Sequence, residues 1–172
     1  MGMEKVRTIY RLRSLRGGLI LALLTILWGI ILNTVIRAFP GVVLSEIKKI
    51  ISDNVTRAQI TQDQLSVLSD KAMDMLRTAA FESLIAGMLL VVLVLILIRL
   101  NGNKKTKAII SWIFGIGVVL FSIGLFIRPM ALLNTTSLET AINHSAWVVI
   151  PGLVLIFLGF IAALLKTLKD LF

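Results

Sequence analysis

Residues Phe81 to Leu100 read FESLIAGMLLVVLVLILIRL, and this stretch decides the fold. No charged side chain interrupts it between Glu82 and Arg99. A helix needs about 20 apolar residues to cross about 30 Å of hydrocarbon, and the stretch supplies them. Three others are of the same kind: Gly17 to Ala38, Ala108 to Ile127 and Ala146 to Leu165. A bilayer offers the backbone no water, and a helix satisfies its own N–H and C=O groups within one segment. The expected fold is therefore an all-α integral membrane protein. Four transmembrane helices, over 17–38, 81–100, 108–127 and 146–165, form an antiparallel bundle, and residues 1–172 form a single membrane domain.

Upstream of the quoted stretch, Thr61 and Gln64 have the spacing of a capping box, in which side chain and backbone satisfy each other at a helix start. Leu65, Leu68, Ala72, Leu76 and Ala79 follow at helical spacing, with no proline or glycine before Phe81. One helix is thus predicted from about Gln62 to about Leu100. At 1.5 Å per residue its part before the span projects about 28 Å. Val42 to Asp53 suits a short amphipathic helix with Val43, Ile47, Ile50 and Ile51 on one face, ended by Asn54. Residues 39–80 then make an outer helical cap between spans one and two. Asn101-Gly102-Asn103 reads as a tight turn joining spans two and three. Arg128-Pro129 is expected to close span three, and Pro151, which removes a helical hydrogen bond, to kink span four near its outer end. Residues 1–16 are a basic tail, with Ile9, Tyr10 and Leu12 able to face lipid from a short interfacial helix.

The chain of 172 residues is 58% hydrophobic, with a mean hydropathy of +0.97, which excludes a soluble globular domain and a disordered one. Without cysteine it has no disulfide, thiolate metal site or cysteine nucleophile. The net charge of +9 is unevenly placed. Eleven basic residues (Lys5, Arg7, Arg11, Arg13, Arg16, Arg99, Lys104, Lys105, Lys107, Lys166, Lys169) fall on one side with only Glu4 and Asp170. The other side balances seven basic residues (Arg37, Lys48, Lys49, Arg57, Lys71, Arg77, Arg128) against seven acidic ones (Glu46, Asp53, Asp63, Asp70, Asp74, Glu82, Glu139). The positive-inside rule places both termini in the cytoplasm, in a plasma or inner membrane. The basic tails attract anionic lipid headgroups there, rather than nucleic acid. Span one is not expected to be a cleavable signal peptide, because its apolar run exceeds the usual core of about 7–15 residues. Val6 stands where a myristoylation signal needs Ser or Thr.

Chemistry-bearing residues are few. No ionisable group lies near the middle of a span, which argues against ion-coupled transport. Polar residues gather at the outer span ends. Asn33, Arg37, Arg128 and His144 around Glu82 are a candidate site for an anionic headgroup or small ligand, and snorkelling side chains are the plainer alternative. Trp28 sits at mid-membrane depth, where its indole N–H needs a partner. It is expected to pack in the core, with lining of a ligand cavity as the alternative. Met130 lies at the level of His144, which leaves haem or copper as a minor alternative, and no cofactor is predicted. No HExxH, Gly-rich phosphate loop or Ser-His-Asp set occurs, so no catalytic or metal residue is assigned. Asn54, Asn134 and Asn143 begin N-x-S/T sequons on the outer side. Trp112 and Trp147 suit opposite interfaces as belt residues.

Small residues form stripes that let helices approach closely: Gly18, Ala22, Thr25 and Gly29 on span one, Ser111, Gly115, Gly117 and Gly124 on span three, and Gly152, Gly159 and Ala163 on span four. These motivate a function through association, as a homo-oligomer or as an accessory subunit of a membrane complex. The alternative is a small membrane enzyme, or a protein binding a cofactor or lipophilic ligand in a cavity between spans.

The run Arg16-Gly17-Gly18 through Thr25-Ile26-Leu27-Trp28-Gly29, with Pro40-Gly41 beyond and Pro151 in span four, resembles the styrene oxide isomerases. These are small four-span membrane enzymes with cytoplasmic termini and a haem b bound between subunits of a trimer. The resemblance implies that architecture. Where the family carries histidines, before span one and at the start of span two, this chain has Arg16 and about Ala80. Neither haem binding nor a catalytic residue is therefore carried over.

Overall fold

In the computed structural model the backbone is described for residues 2–55, 61–100, 103–135 and 137–171, and side chains for 15–53, 61–100, 103–135 and 137–169. Five helices follow one another: α1 (Gly2–Ala38), α2 (Pro40–Val55), α3 (Gln62–Arg99), α4 (Lys104–Thr135) and α5 (Leu138–Leu171). There is no strand among the described residues. Four helices hold segments long and apolar enough to cross a membrane, in Leu15–Ala38, Gln62–Arg99, Lys104–Thr135 and Leu138–Lys169. Asn101, Gly102 and Arg57, and the side chains of Ile9, Tyr10, Leu12 and Asn54, lie outside the described residues.

The cap at α3 has both expected bonds. Gln64 N–H donates to Thr61 Oγ1 at 3.4 Å, and Thr61 N–H donates to Gln64 Oε1 at 3.2 Å. The far end of α3 is closed by a residue that reads in the sequence only as a topology signal. Lys107 is 4% exposed and its Nζ donates to the Leu100 carbonyl, which sets a cation at the negative end of a helix.

Small residues decide which helices meet. Gly18 faces the Ser111 hydroxyl of α4, and Gly17 lies under the Trp112 ring. Further along α1, Ala22 and Ile26 lie against Gly87 of α3, and Gly29 lies against Ala80 and Leu84. The Thr25 hydroxyl turns back to the Leu21 carbonyl at 2.8 Å. On α4, Gly117 and Gly124 meet Gly152, Ile156 and Val149 of α5, and Gly159 of α5 meets Phe114. Thus α4 is the central helix. It takes α1 and α3 on one side and α5 on the other, while α5 barely reaches α3 and does not pack on α1 among the described residues.

Two hydrophobic cores result. One joins Leu15 at the start of the apolar part of α1, Leu97 at the end of α3, Ile110 at the start of α4 and Ala163 late in α5, with Leu90, Val94 and Val118 between. The other joins Ile36 of α1, Ile47 and Ile51 of α2, Met73 and Leu76 of α3, Leu132 and Leu133 of α4, and Ala141 of α5.

One sequence-based boundary is corrected. Arg128-Pro129 does not close the third long helix, which continues to Thr135 with Pro129 buried inside it. Residues 2–16 continue as helix into the first apolar stretch, and the fourth stretch lies inside α5, which begins at Leu138. Proline inside a helix costs about 3 kcal/mol. Burying a leucine returns roughly 1.5–3 kcal/mol, and the turns beyond Pro129 bury Leu132 and Leu133 to 1% and 2% exposure. Those turns, with the start of α5, complete the cap expected from α2 and α3 alone.

Candidate ligand cleft between α1 and α4

The polar residues at the outer span ends do not form one constellation. On α1, Arg37 Nε donates to Asn33 Oδ1 one turn away at 3.0 Å. Arg128 of α4 reaches α5, where its Nε donates to Ser145 Oγ at 3.3 Å, and that hydroxyl donates to the Ile142 carbonyl at 2.9 Å. Glu82 is half-buried on α3 and, among the described residues, joins neither arginine nor His144. Each arginine bonds a neighbour through Nε, and neither pairs with Glu82 among the described residues.

His144 lies elsewhere, at the mouth of a cleft of about 570 Å³. Trp28 of α1 forms one wall, and Ile123, Phe126, Met130 and Asn134 of α4 form the floor. A narrower cleft of about 260 Å³ adjoins it, between Leu21, Leu24 and Thr25 of α1 and Val119 and Ser122 of α4. Trp28 and Ile123 border both.

The helix packing explains this space. Gly115 and Ser111 of α4 hold α1, and Gly117 and Gly124 hold α5. Val119, Ile123, Phe126 and Met130, at spacings of four, three and four, lie on a further face of α4. Since α1 and α5 do not pack on each other, that face stays uncovered between them.

Trp28 corrects the sequence expectation. It is 50% exposed and not in the core; its ring meets Phe126 edge-to-face, with centroids 5.5 Å apart and planes at 74°. Asn33, Arg37, Glu82 and Arg128 do not line the clefts, whereas Trp28 and His144 do. Phe126 and Ser122 went unmarked by sequence reasoning. An apolar stripe on a span looks the same whether it meets lipid, a helix or a cavity, and the available signal was Ser122, a hydroxyl in the middle of an apolar segment. That hydroxyl is buried and has no hydrogen-bond partner, as are those of Ser83 and Ser111. Thr25, Ser69 and Ser145 are buried too, but each donates to a carbonyl of its own helix.

The small residues named as helix-packing positions lie inside the chain: Gly18, Ala22, Thr25, Gly29, Gly152 and Gly159 are all buried. Those on α1 engage α3 and α4, and those on α5 engage α4, so they supply no surface for a partner.

Met130 and His144, the pair that leaves haem or copper as a minor alternative, both line the larger cleft. At the positions that correspond to the isomerase histidines stand Arg16, which is exposed, and Ala80, which is fully buried against Gly29. Neither side chain ligates iron. No group of three or more His, Asp or Glu able to hold a metal occurs among the described residues. No protein-family model matches the chain, and no curated protein or solved structure matches it either.

Proposed function

We propose that the chain is an integral membrane protein that binds a lipophilic molecule in the cleft between α1 and α4. One observation carries this reading: a large, mostly apolar cleft, open between two long apolar helices, with polar residues gathered at one end. Its volume falls within the roughly 300–1,000 Å³ typical of sites for a small organic molecule. His144 is the one titratable residue lining either cleft, which suits binding better than acid–base catalysis. Lipids and other lipophilic molecules extracted from the purified protein test it. One species retained by the parent should fall by at least about tenfold in Ala131→Trp, which fills the cleft from α4. Equal retention would overturn the reading.

The contact order along the helices supports an antiparallel bundle. Going up α1 from Ala22 to Gly29, its partners go down α3 from Gly87 to Ala80. The eleven basic residues then gather at the end where both termini and the α3–α4 connection lie, which supports cytoplasmic termini and contact with anionic headgroups. Reporter fusions at Phe172 and at Asn54 are expected to report cytoplasmic and outer placement respectively. An outer C-terminus would reverse the assignment.

Association, as a homo-oligomer or an accessory subunit, is the second reading. The stripe of Leu153, Phe157, Phe160 and Leu164 on α5 favours it, since all four are exposed. A light-scattering mass of one chain per detergent micelle would sink the homo-oligomer.

A further inference from the structure

Resting on that reading, we propose that the ligand is an uncharged lipophilic alcohol or phenol, its hydroxyl donating to His144 Nε2 and its apolar body running past Trp28 toward Ser122.

The polarity of the mouth selects the head group. His144 Nδ1 lies 2.8 Å from the Thr140 carbonyl oxygen. A carbonyl can only accept, so Nδ1 carries a proton, and in the neutral form of the ring Nε2 keeps a lone pair that can accept. Thr135 adds no donor, because its Oγ1–H is directed to the Ala131 carbonyl at 2.8 Å. His144 Nε2 therefore asks for a donor, in a cleft that the Asn134 amide and the Trp28 indole also line. No Asp, Glu, Lys or Arg lines either cleft, so nothing there balances a phosphate, carboxylate or ammonium. Burying such a charge unpaired costs far more than burying a hydroxyl that finds a partner. A neutral O–H head meets both conditions.

The rest of the cleft selects the body. Beyond His144 the surface is Met130, Phe126, Ile123 and the indole of Trp28, which is apolar and partly aromatic. Past Trp28 lies Ser122, 4% exposed and unpartnered, on the floor of the lower cleft.

The test uses Trp28 as the reporter. Trp112→Phe and Trp147→Phe leave it as the sole tryptophan in the full chain, reconstituted in phosphatidylcholine vesicles. Three chain-brominated C18 probes are titrated: the alcohol, its methyl ether and the corresponding fatty acid. Bromine quenches indole fluorescence on contact. The alcohol should quench saturably, with half-saturation about tenfold below the ether and the acid, the scale of one hydrogen bond to a well-placed acceptor. His144→Phe should raise the alcohol's half-saturation to that of the ether, and His144→Gln, whose amide oxygen can accept, should restore most of the difference. His144 is exposed, so both variants leave the cores intact. Alcohol and ether saturating alike, or His144→Phe leaving the alcohol unchanged, would overturn the head-group assignment while leaving a binding cleft in place. Acid binding as tight as the alcohol would overturn the charge argument. Quenching that rises with probe content and never saturates, for all three probes, would overturn the cleft itself.

Discussion

Gly152→Leu is expected to lower the thermal midpoint of the purified protein by roughly 2–12 °C, while Gly41→Ala raises it slightly. A Cβ at Gly152 would lie 2.6 Å from Phe121 N and 3.0 Å from both the Gly117 carbonyl oxygen and Phe121 Cα. These are backbone atoms and cannot rotate aside. Gly117 is the mirror case, its Cβ falling 2.7 Å from Ile156 N and 2.9 Å from the Gly152 oxygen. Any side chain here must force α4 and α5 apart, and α5 has no other substantial partner. Overpacking of this kind costs about 1–3 kcal/mol or more. At roughly 2–4 °C per kcal/mol for a chain of this length, the fall follows. Gly41 is exposed in α2, and a Cβ there meets nothing within 4 Å. Alanine then removes only the entropic penalty of a helical glycine, about 0.5–1 kcal/mol. Scanning fluorimetry in a mild detergent, with light scattering on the same samples, reads both. A lower mass at an unchanged midpoint would move the Gly152 contact from within the chain to a subunit boundary.

Leu132→Ala should be at least as damaging, by loss of packing instead of overpacking. Leu132 is 1% exposed, in the cluster that joins α1, α2, α3 and α4. Large-to-small changes at such sites cost about 2–5 kcal/mol. The position is informative because it lies beyond Pro129, on turns that exist as helix only if their burial outweighs the proline. Hydrogen exchange should therefore accelerate in α2 around Ile47 and Ile51, which pack in the same cluster. Leu158→Ala, at a side chain 51% exposed on α5, is the control and should change stability by no more than about 0.5 kcal/mol. Unchanged exchange in α2 in the Leu132 variant would show that the end of α4 does not brace the cap. With the spans in lipid, the two cores differ in kind. Residues among the spans gain chiefly close packing, since lipid is as apolar as leucine. A cluster lying beyond the bilayer would also gain by leaving water, which makes a leucine of the second core the more consequential target if it lies there.

The sequence by itself determined whatever rests on interactions within a few residues. The Thr61–Gln64 capping box and the absence of a breaker before Phe81 predict a helix from about Gln62 to about Leu100, and α3 is Gln62–Arg99. The Val42–Asp53 amphipathic pattern falls inside α2, Pro40–Val55. All four apolar stretches lie in helices long enough to cross a membrane. The tertiary structure alone decided the rest. Pro129 reads locally as an end, and only burial of Leu132 and Leu133 against residues distant in sequence shows that α4 continues. A glycine stripe states that something comes close without stating what. Gly18 found Ser111, Gly29 found Ala80 and Gly152 found Gly117, all within one chain. Five polar residues at one level of a bundle do not share a site: Asn33 and Arg37 pair with each other on α1, Arg128 turns to α5, and Glu82 joins none of them among the described residues. Arg37 and Arg128 found partners nearby, and His144 was left beside Trp28. The cleft exists because α1 and α5 settle on different faces of α4 and leave a third uncovered. That choice is made by complementary shape across three helices, and shape of that kind has no period in the sequence.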